Sequence, residues 1–215
     1  MSRDPALPEG TYIRNHDDVP HPRVLMIVGD FVEDYEAMVP KQTLEAFGCV
    51  VDTVYPDKTR GDTVKTAIHD FEGDQTYSEK PGHAFVVTRD WGSVEVERYA
   101  GLVIPGGRAP EFLRLNEDVL AIVRRFFELD RPVASICHGV QLLTAAGVAQ
   151  GRTLQCYAAC APEAEAAGAT VTNDDDVTAV TTEGNLVSAQ AWPAHGPFVR
   201  QFVTKLGGSV SWNCE

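Results

Sequence analysis

No stretch of the 215-residue sequence approaches the roughly 18 consecutive apolar residues that a membrane-spanning helix needs, so a helical span is excluded. Its first 23 residues, MSRDPALPEGTYIRNHDDVPHPR, contain no apolar core of the signal-peptide kind, which makes a cytoplasmic protein the expectation. Basic residues are scarce: 18 Lys and Arg face 31 Asp and Glu, for a net charge of −13. A field of that sign repels phosphate backbones and anionic lipid, which argues against nucleic acid and membrane as partners. Cysteines are few and odd in number, at positions 49, 137, 156, 160 and 214. That excludes a simple disulfide framework and suits reduced thiols. Cys156 and Cys160 stand four apart, but no His or Cys cluster completes a zinc set beside them, so they read as ordinary thiols and no metal is expected. Internal repeats and low-complexity tracts are also missing.

The sequence does contain enough apolar residues, 44%, to bury a core, and a length that suits one domain with trimmings. Residues 1–22 read as an irregular extension and 23–215 as a single α/β domain. Val24–Val28, Gly101–Ile104 and Pro132–Ile136 are short runs apolar on both faces, the mark of buried parallel strands. Val50–Val54 resembles another. Between them, helices are predicted over 35–47 with Gly48 as stop, over Asn116–Leu129 with Asn116 as N-cap, and over 140–146 with Gly147 as stop. Residues 55–93 read as loops with short strands, among them Ala84–Thr88. Short strands near Thr153, Val177–Val180 and Leu186–Ser188 and a helix from His195 to Lys205 complete the pattern. Strands alternating with helices imply a mostly parallel central sheet covered on both sides, with the ligand site beyond the carboxyl ends of its strands.

Three predicted strand ends carry Gly29-Asp30, Gly106-Gly107 and Cys137-His138. The segment Ala134-Ser135-Ile136-Cys137-His138-Gly139 places a thiol on a strand-to-helix turn of the nucleophile-elbow kind. Unpaired N–H groups there favour the thiolate, and Gly139 permits the sharp turn. The alternative is one more buried thiol. Adjacent side chains diverge, so His138 reads as a proton shuttle to substrate rather than the base for Cys137, or as a satisfied partly buried histidine. Gly106 and Gly107 offer bare N–H groups to the same crevice, with Gly107 a candidate oxyanion donor alongside the His138 N–H, or a tight turn needing positive φ, or both. His195 is either a pocket-lining group or a commonplace N-terminal helix histidine. His69 and His83, fourteen apart in the loop region, read as structural or pocket-lining rather than as metal ligands.

Three segments in this order resemble the ThiJ/PfpI superfamily: Glu33-Asp34-Tyr35-Glu36-Ala37-Met38-Val39-Pro40, Pro105-Gly106-Gly107-Arg108-Ala109-Pro110-Glu111, and the Cys137 elbow. The stretch from His69 to His83 is similar to that of plant tandem-domain members of glutathione-independent glyoxalase type, here as a single domain. The resemblance runs from about residue 23 to 208. It implies a flavodoxin-like three-layer sandwich, Cys137 as nucleophile, and Glu36 exchanging a proton with thiol or substrate. It also implies a homo-oligomer (dimer, trimer or hexamer) in which Glu111 reaches His138 of a neighbouring subunit. Read from the residues alone, Glu36 and Glu111 are exposed charges. The implied chemistry converts a small 2-oxoaldehyde such as methylglyoxal to lactate through a hemithioacetal, with no cofactor. The family also contains peptidases, amidases and redox-sensing stress proteins, so the fold does not settle the reaction.

Overall fold

The apolar runs pair as expected. Arg23–Ile27 (β1), Val50–Val54 (β3), Gly101–Ile104 (β6), Val133–Ile136 (β7) and Leu186–Ala189 (β11) form a parallel array. Val180–Glu183 (β10) joins β11 antiparallel at one edge, so the six-stranded order is β10-β11-β7-β6-β1-β3. The computed structural model describes residues 21–209, so all but two residues of the expected 1–22 extension, and Cys214, lie outside the described residues.

Helices cover the sheet because each carries one apolar stripe. Asp34–Ala46 (α1) and His195–Lys205 (α6) pack on one another. Ala109–Leu113 (α2), Glu117–Glu128 (α3), Val140–Ala145 (α4) and Ala161–Ala166 (α5) form a second group around α4. In α3, Val119, Leu120, Val123 and Phe126 are buried. The Asn116 side chain caps that helix, accepting from the Asp118 and Val119 N–H groups at 2.9 and 3.3 Å, a device that contributes about 1 kcal/mol. The arrangement is the expected three-layer α/β sandwich. No helix among the described residues is long and apolar enough to cross a membrane.

The segment expected to hold loops and short strands is more regular than its composition suggests. Val32–Glu33 (β2), Thr63–Asp70 (β4) and Ser78–Val86 (β5) make a second, three-stranded sheet dominated by a long antiparallel hairpin. Asp34 clamps this hairpin to α1. Its carboxylate accepts from the Thr66 hydroxyl and from the His83 N–H at 2.9 Å. Burial would raise the Asp34 pKa, but those hydrogen bonds prevail and hold it below its usual value. Residues 177–179 precede the strand expected there, and Thr153–Leu154 (β8) pairs in parallel with Thr170–Val171 (β9) in a two-stranded ribbon.

Candidate active site

The elbow at the end of β7 is strained as well as sharp. Ile136 is extended at φ −129°, whereas Cys137 takes φ +57° before a short turn runs into α4. A non-glycine residue in that region costs about 1–3 kcal/mol, which the surroundings must overcome. Gly139 makes the turn fit, since a Cβ there would stand 2.5 Å from the Ile104 carbonyl oxygen of β6.

The left-handed backbone at Cys137 also changes the role of His138. Adjacent side chains were expected to diverge. Instead His138 Nδ1 lies 3.2 Å from the Cys137 sulfur, because positive φ turns the chain back on itself. A neutral imidazole in that position is a candidate acceptor for the thiol proton. His138 is neutral at physiological pH: burial, and then the charge of His69, push its pKa down to about 4.

A second correction concerns the thiolate. Cys137 is only 8% exposed. Burial, and then the charge of Glu36, raise its pKa well above the ordinary thiol value, while the N–H groups of Gly107 and His138 oppose this. The resting group is a neutral thiol whose two backbone donors are set for the anion. Both were expected as donors to a substrate oxyanion, and here they face the sulfur itself.

Glu36 is not an exposed helix-start charge. It is fully buried, and its Oε2 accepts the Gly106 N–H at 2.7 Å. Gly106 therefore spends its N–H on Glu36 and does not offer it to the crevice, contrary to expectation. A Cβ on Gly106 would lie 2.6 Å from that oxygen, 2.7 Å from Cys137 Cβ and 2.8 Å from the His138 nitrogen. Glycine is thus required there by close approach, and at Gly107 by φ +71°. Burial, and then the charge of Glu33, raise the Glu36 pKa to about 8, although the Gly106 N–H and the Cys137 thiol both interact with its carboxyl. Its Oε1 is buried without a hydrogen-bond partner. Both shifts favour a protonated carboxyl beside a protonated thiol.

Glu33 was overlooked as a site residue. It caps α1 by accepting the Glu36 N–H at 2.7 Å, and its own N–H donates to the Gly106 carbonyl at 3.2 Å. It is 2% exposed, and burial raises its pKa to about 7. The available signal was its spacing from Glu36, since residues three apart share a helix face.

Cys137, Glu33, Glu36, Gly107 and His138 meet in a narrow cleft. His69, Phe71, Tyr77, Tyr157, Ala191 and Trp192 complete its walls. His195 is not among them. It faces a separate groove between α1 and α6, where its ring lies 6.2 Å from Tyr35. His83 points away to Asp34, while His69 pairs with Glu79 at 3.1 Å. Glu111 lies outside the cleft, 40% exposed and 3.7 Å from Arg108. No group of three or more His, Cys, Asp or Glu among the described residues is placed to hold a metal ion.

Comparison with known proteins places the geometry in context. A family model described as "DJ-1/PfpI family" matches residues 22–205. The Arabidopsis thaliana protein DJ-1 homolog D is 52% identical over 190 residues, covering 88% of this chain and 49% of that protein. The chain thus spans about half the length of that curated relative. A deglycase of Pyrococcus horikoshii is 34% identical over 184 residues, covering 86% of this chain and 99% of the relative. Among solved structures, Drosophila melanogaster DJ-1beta aligns with a TM-score of 0.73 at 19% identity, covering 88% of this chain and 92% of its own. At that identity the likeness speaks for the fold.

Proposed function

The chain belongs to the DJ-1/PfpI family, and from that premise we propose that it is a cysteine-dependent, glutathione-independent glyoxalase or deglycase-type enzyme acting on small 2-oxoaldehydes. The observation that carries this reading is a thiol backed by a buried acid and two N–H donors at the floor of a narrow cleft. Archaeal relatives that bear the name deglycase support it.

The Cys137 sulfur adds to the aldehyde carbon of R–CO–CHO, and its proton passes to His138 Nδ1. The new oxyanion is held by the Gly107 and His138 N–H groups. In the fraction of molecules with Glu36 ionised, its carboxylate takes the C1 hydrogen as a proton and returns it to C2 through an enediol, while the proton held by His138 passes to the C2 oxygen. C1 is thereby oxidised and C2 reduced, leaving a 2-hydroxyacyl thioester on Cys137. Water hydrolyses the thioester, releasing the 2-hydroxy acid and restoring the thiol. The sum is R–CO–CHO plus water giving R–CHOH–COOH, so no external oxidant or metal enters the scheme. A Glu36 pKa of about 8 suits a group that must be acid and base in one cycle. A narrow cleft with little free space around the sulfur favours a small carbonyl over the extended chain that a peptidase must admit.

The test is lactate formation from methylglyoxal without glutathione by wild type, Cys137→Ala and Glu36→Gln. Turnover by wild type alone is expected, with each variant down at least about a hundredfold. Lactate from Cys137→Ala at the wild-type rate, or none from wild type, removes the assignment.

A further inference from the structure

The cleft is polar only at its floor. The reacting groups Cys137, Glu36 and His138 lie at the bottom, and the surface left open above them is almost wholly apolar. Its walls are rings, and the hairpin that β4 and β5 form supplies three of them, His69, Phe71 and Tyr77. Tyr77 is their hub, with its ring centroid 5.0 Å from His69, 6.5 Å from Phe71, 5.9 Å from His138 and 5.6 Å from Tyr157, each nearly edge-on. Tyr157 in turn stacks on His138 at 4.7 Å. Across the cleft, Trp192 is held against Tyr35 at 5.9 Å.

Two links fix this wall to the reacting centre. Tyr157 hydrogen-bonds Thr76 at the hairpin tip, and its own N–H donates to the Cys137 carbonyl at 3.2 Å. The rings therefore stand at a set distance from the sulfur. They also lie on the side of an adduct where the substituent on C2 must go, since the sulfur, the acid and the oxyanion donors occupy the floor.

Glyoxal presents no carbon to such a wall and methylglyoxal one methyl group. Both would leave the ring edges and faces without a partner. A ring on C2 would meet them in the edge-to-face geometry that aromatic pairs favour. We propose that this site selects aryl 2-oxoaldehydes, with Tyr77 and Phe71 as the residues that set the preference. This rests on the 2-oxoaldehyde reading above and narrows its substrate class. Phe71, 56% exposed, is the ring at the rim, where an aryl substituent would cover it.

Phenylglyoxal and methylglyoxal, each without glutathione, are the probes. Wild-type kcat/KM should be higher for phenylglyoxal by about tenfold or more, since a single methylene already discriminates by that order. Tyr77→Phe keeps the ring and should keep the ratio. In Tyr77→Ala and Phe71→Ala the ratio should fall to within about threefold. A second readout needs no turnover: calorimetric titration of Cys137→Ala with mandelate and with lactate, the two corresponding acids, where mandelate should bind the tighter. If Tyr77→Ala fails to fold, the wild-type ratio and the titration still decide. Turnover of methylglyoxal with a ratio near one, and mandelate bound no better than lactate, overturns the aryl preference alone. Failure to turn over either aldehyde removes the parent reading and the preference with it.

Discussion

At the scale of single residues the site is a problem in proton placement. Glu33, Glu36 and Cys137 are all acids, all buried, and all raised in pKa by that burial. They cannot all ionise together, because each charge opposes the next. For an acid whose folded pKa lies above its unfolded one, the native state holds the proton more tightly. Its contribution to stability is complete below the unfolded pKa, near 4.5, and fades as pH rises through the folded value. For Glu36 the window is therefore pH 4.5 to about 8. Each unit corresponds to about 1.4 kcal/mol. Glu36→Gln imitates the neutral acid and can still accept the Gly106 N–H. Thermal melts should show wild type losing stability between pH 5 and 8.5, with the variant losing less and standing above wild type at the alkaline end. A variant curve parallel to the wild-type one would mean that the carboxyl is already ionised at pH 5.

Glu33 acts on the same balance from one turn away. Its charge is the second cause, after burial, of the raised Glu36 pKa. Glu33→Gln keeps an acceptor for the Glu36 N–H but removes that charge. The ascending limb of the kcat/KM profile, which the proposed mechanism assigns to Glu36, should move to lower pH. The groups facing the pair are Asp34 on the same helix, His69 on the hairpin, and Cys137 and His138 at the elbow. Glu33 is the charge that raises Glu36, whereas the Cys137 thiol lowers it through a hydrogen bond, so a limb that stays in place would assign the titration to a group other than Glu36.

Among the elements, the elbow depends on glycines that nothing else can replace. Gly139→Ala would press a methyl group against the Ile104 carbonyl and, at 3.0 Å, the Ser135 hydroxyl. Backbone in the centre of a sheet does not yield, so a loss of about 2–3 kcal/mol is expected in urea unfolding, with activity lost in parallel. The opposite sign is expected at the end of α3. Asp130 follows the C-cap Leu129 with φ +50°, is exposed, and occupies the position where helices favour glycine. Asp130→Gly should raise the urea midpoint, worth about 0.5 kcal/mol, and leave turnover unchanged.

The same elements show what sequence can reveal. β1, β6 and β7 were legible because strands buried on both faces read as unbroken apolar runs, and α3 because Val119, Val123 and Phe126 recur at helical spacing. The length of the β4–β5 hairpin is hidden in a segment that reads as loops and short strands, because the hairpin is held largely by polar residues. Thr66 and His69 occupy inward positions, and Pro81 and Gly82 interrupt β5. Its anchor is Asp34, far off in sequence. The Cys137 elbow was legible from strand, thiol and glycine in succession. The contact of His138 with its neighbour's sulfur was not, since it depends on one backbone angle. Nor was the burial of Glu36, because a carboxylate at a helix start is usually solvated and only Gly106, seventy residues on, gives it a reason to be inside.

On the whole molecule, α2 presents a surface that the fold leaves uncovered. Phe112 and, just past the helix, Leu115 are 62% and 75% exposed, and Phe31 and Phe112 line a depression that includes Glu111. Exposed apolar side chains gathered in one place are what a docking surface would offer. The expected occupant is a second copy of the chain, as the family resemblance implies, with its Glu111 directed at His138. Within one chain that histidine is already enclosed by Tyr77 and Tyr157. A carboxylate from outside would have to enter past the same ring proposed to meet the substrate. Assembly and substrate selection would then act on one side chain, Tyr77. Light scattering should give a mass that is a multiple of one chain, and Phe112→Glu should reduce it. If Glu111 of a second copy completes the site, activity per chain falls with that dissociation and on Glu111→Ala. A Phe112→Glu monomer with full activity would confine the working parts to a single chain and leave Glu111 as the surface partner of Arg108.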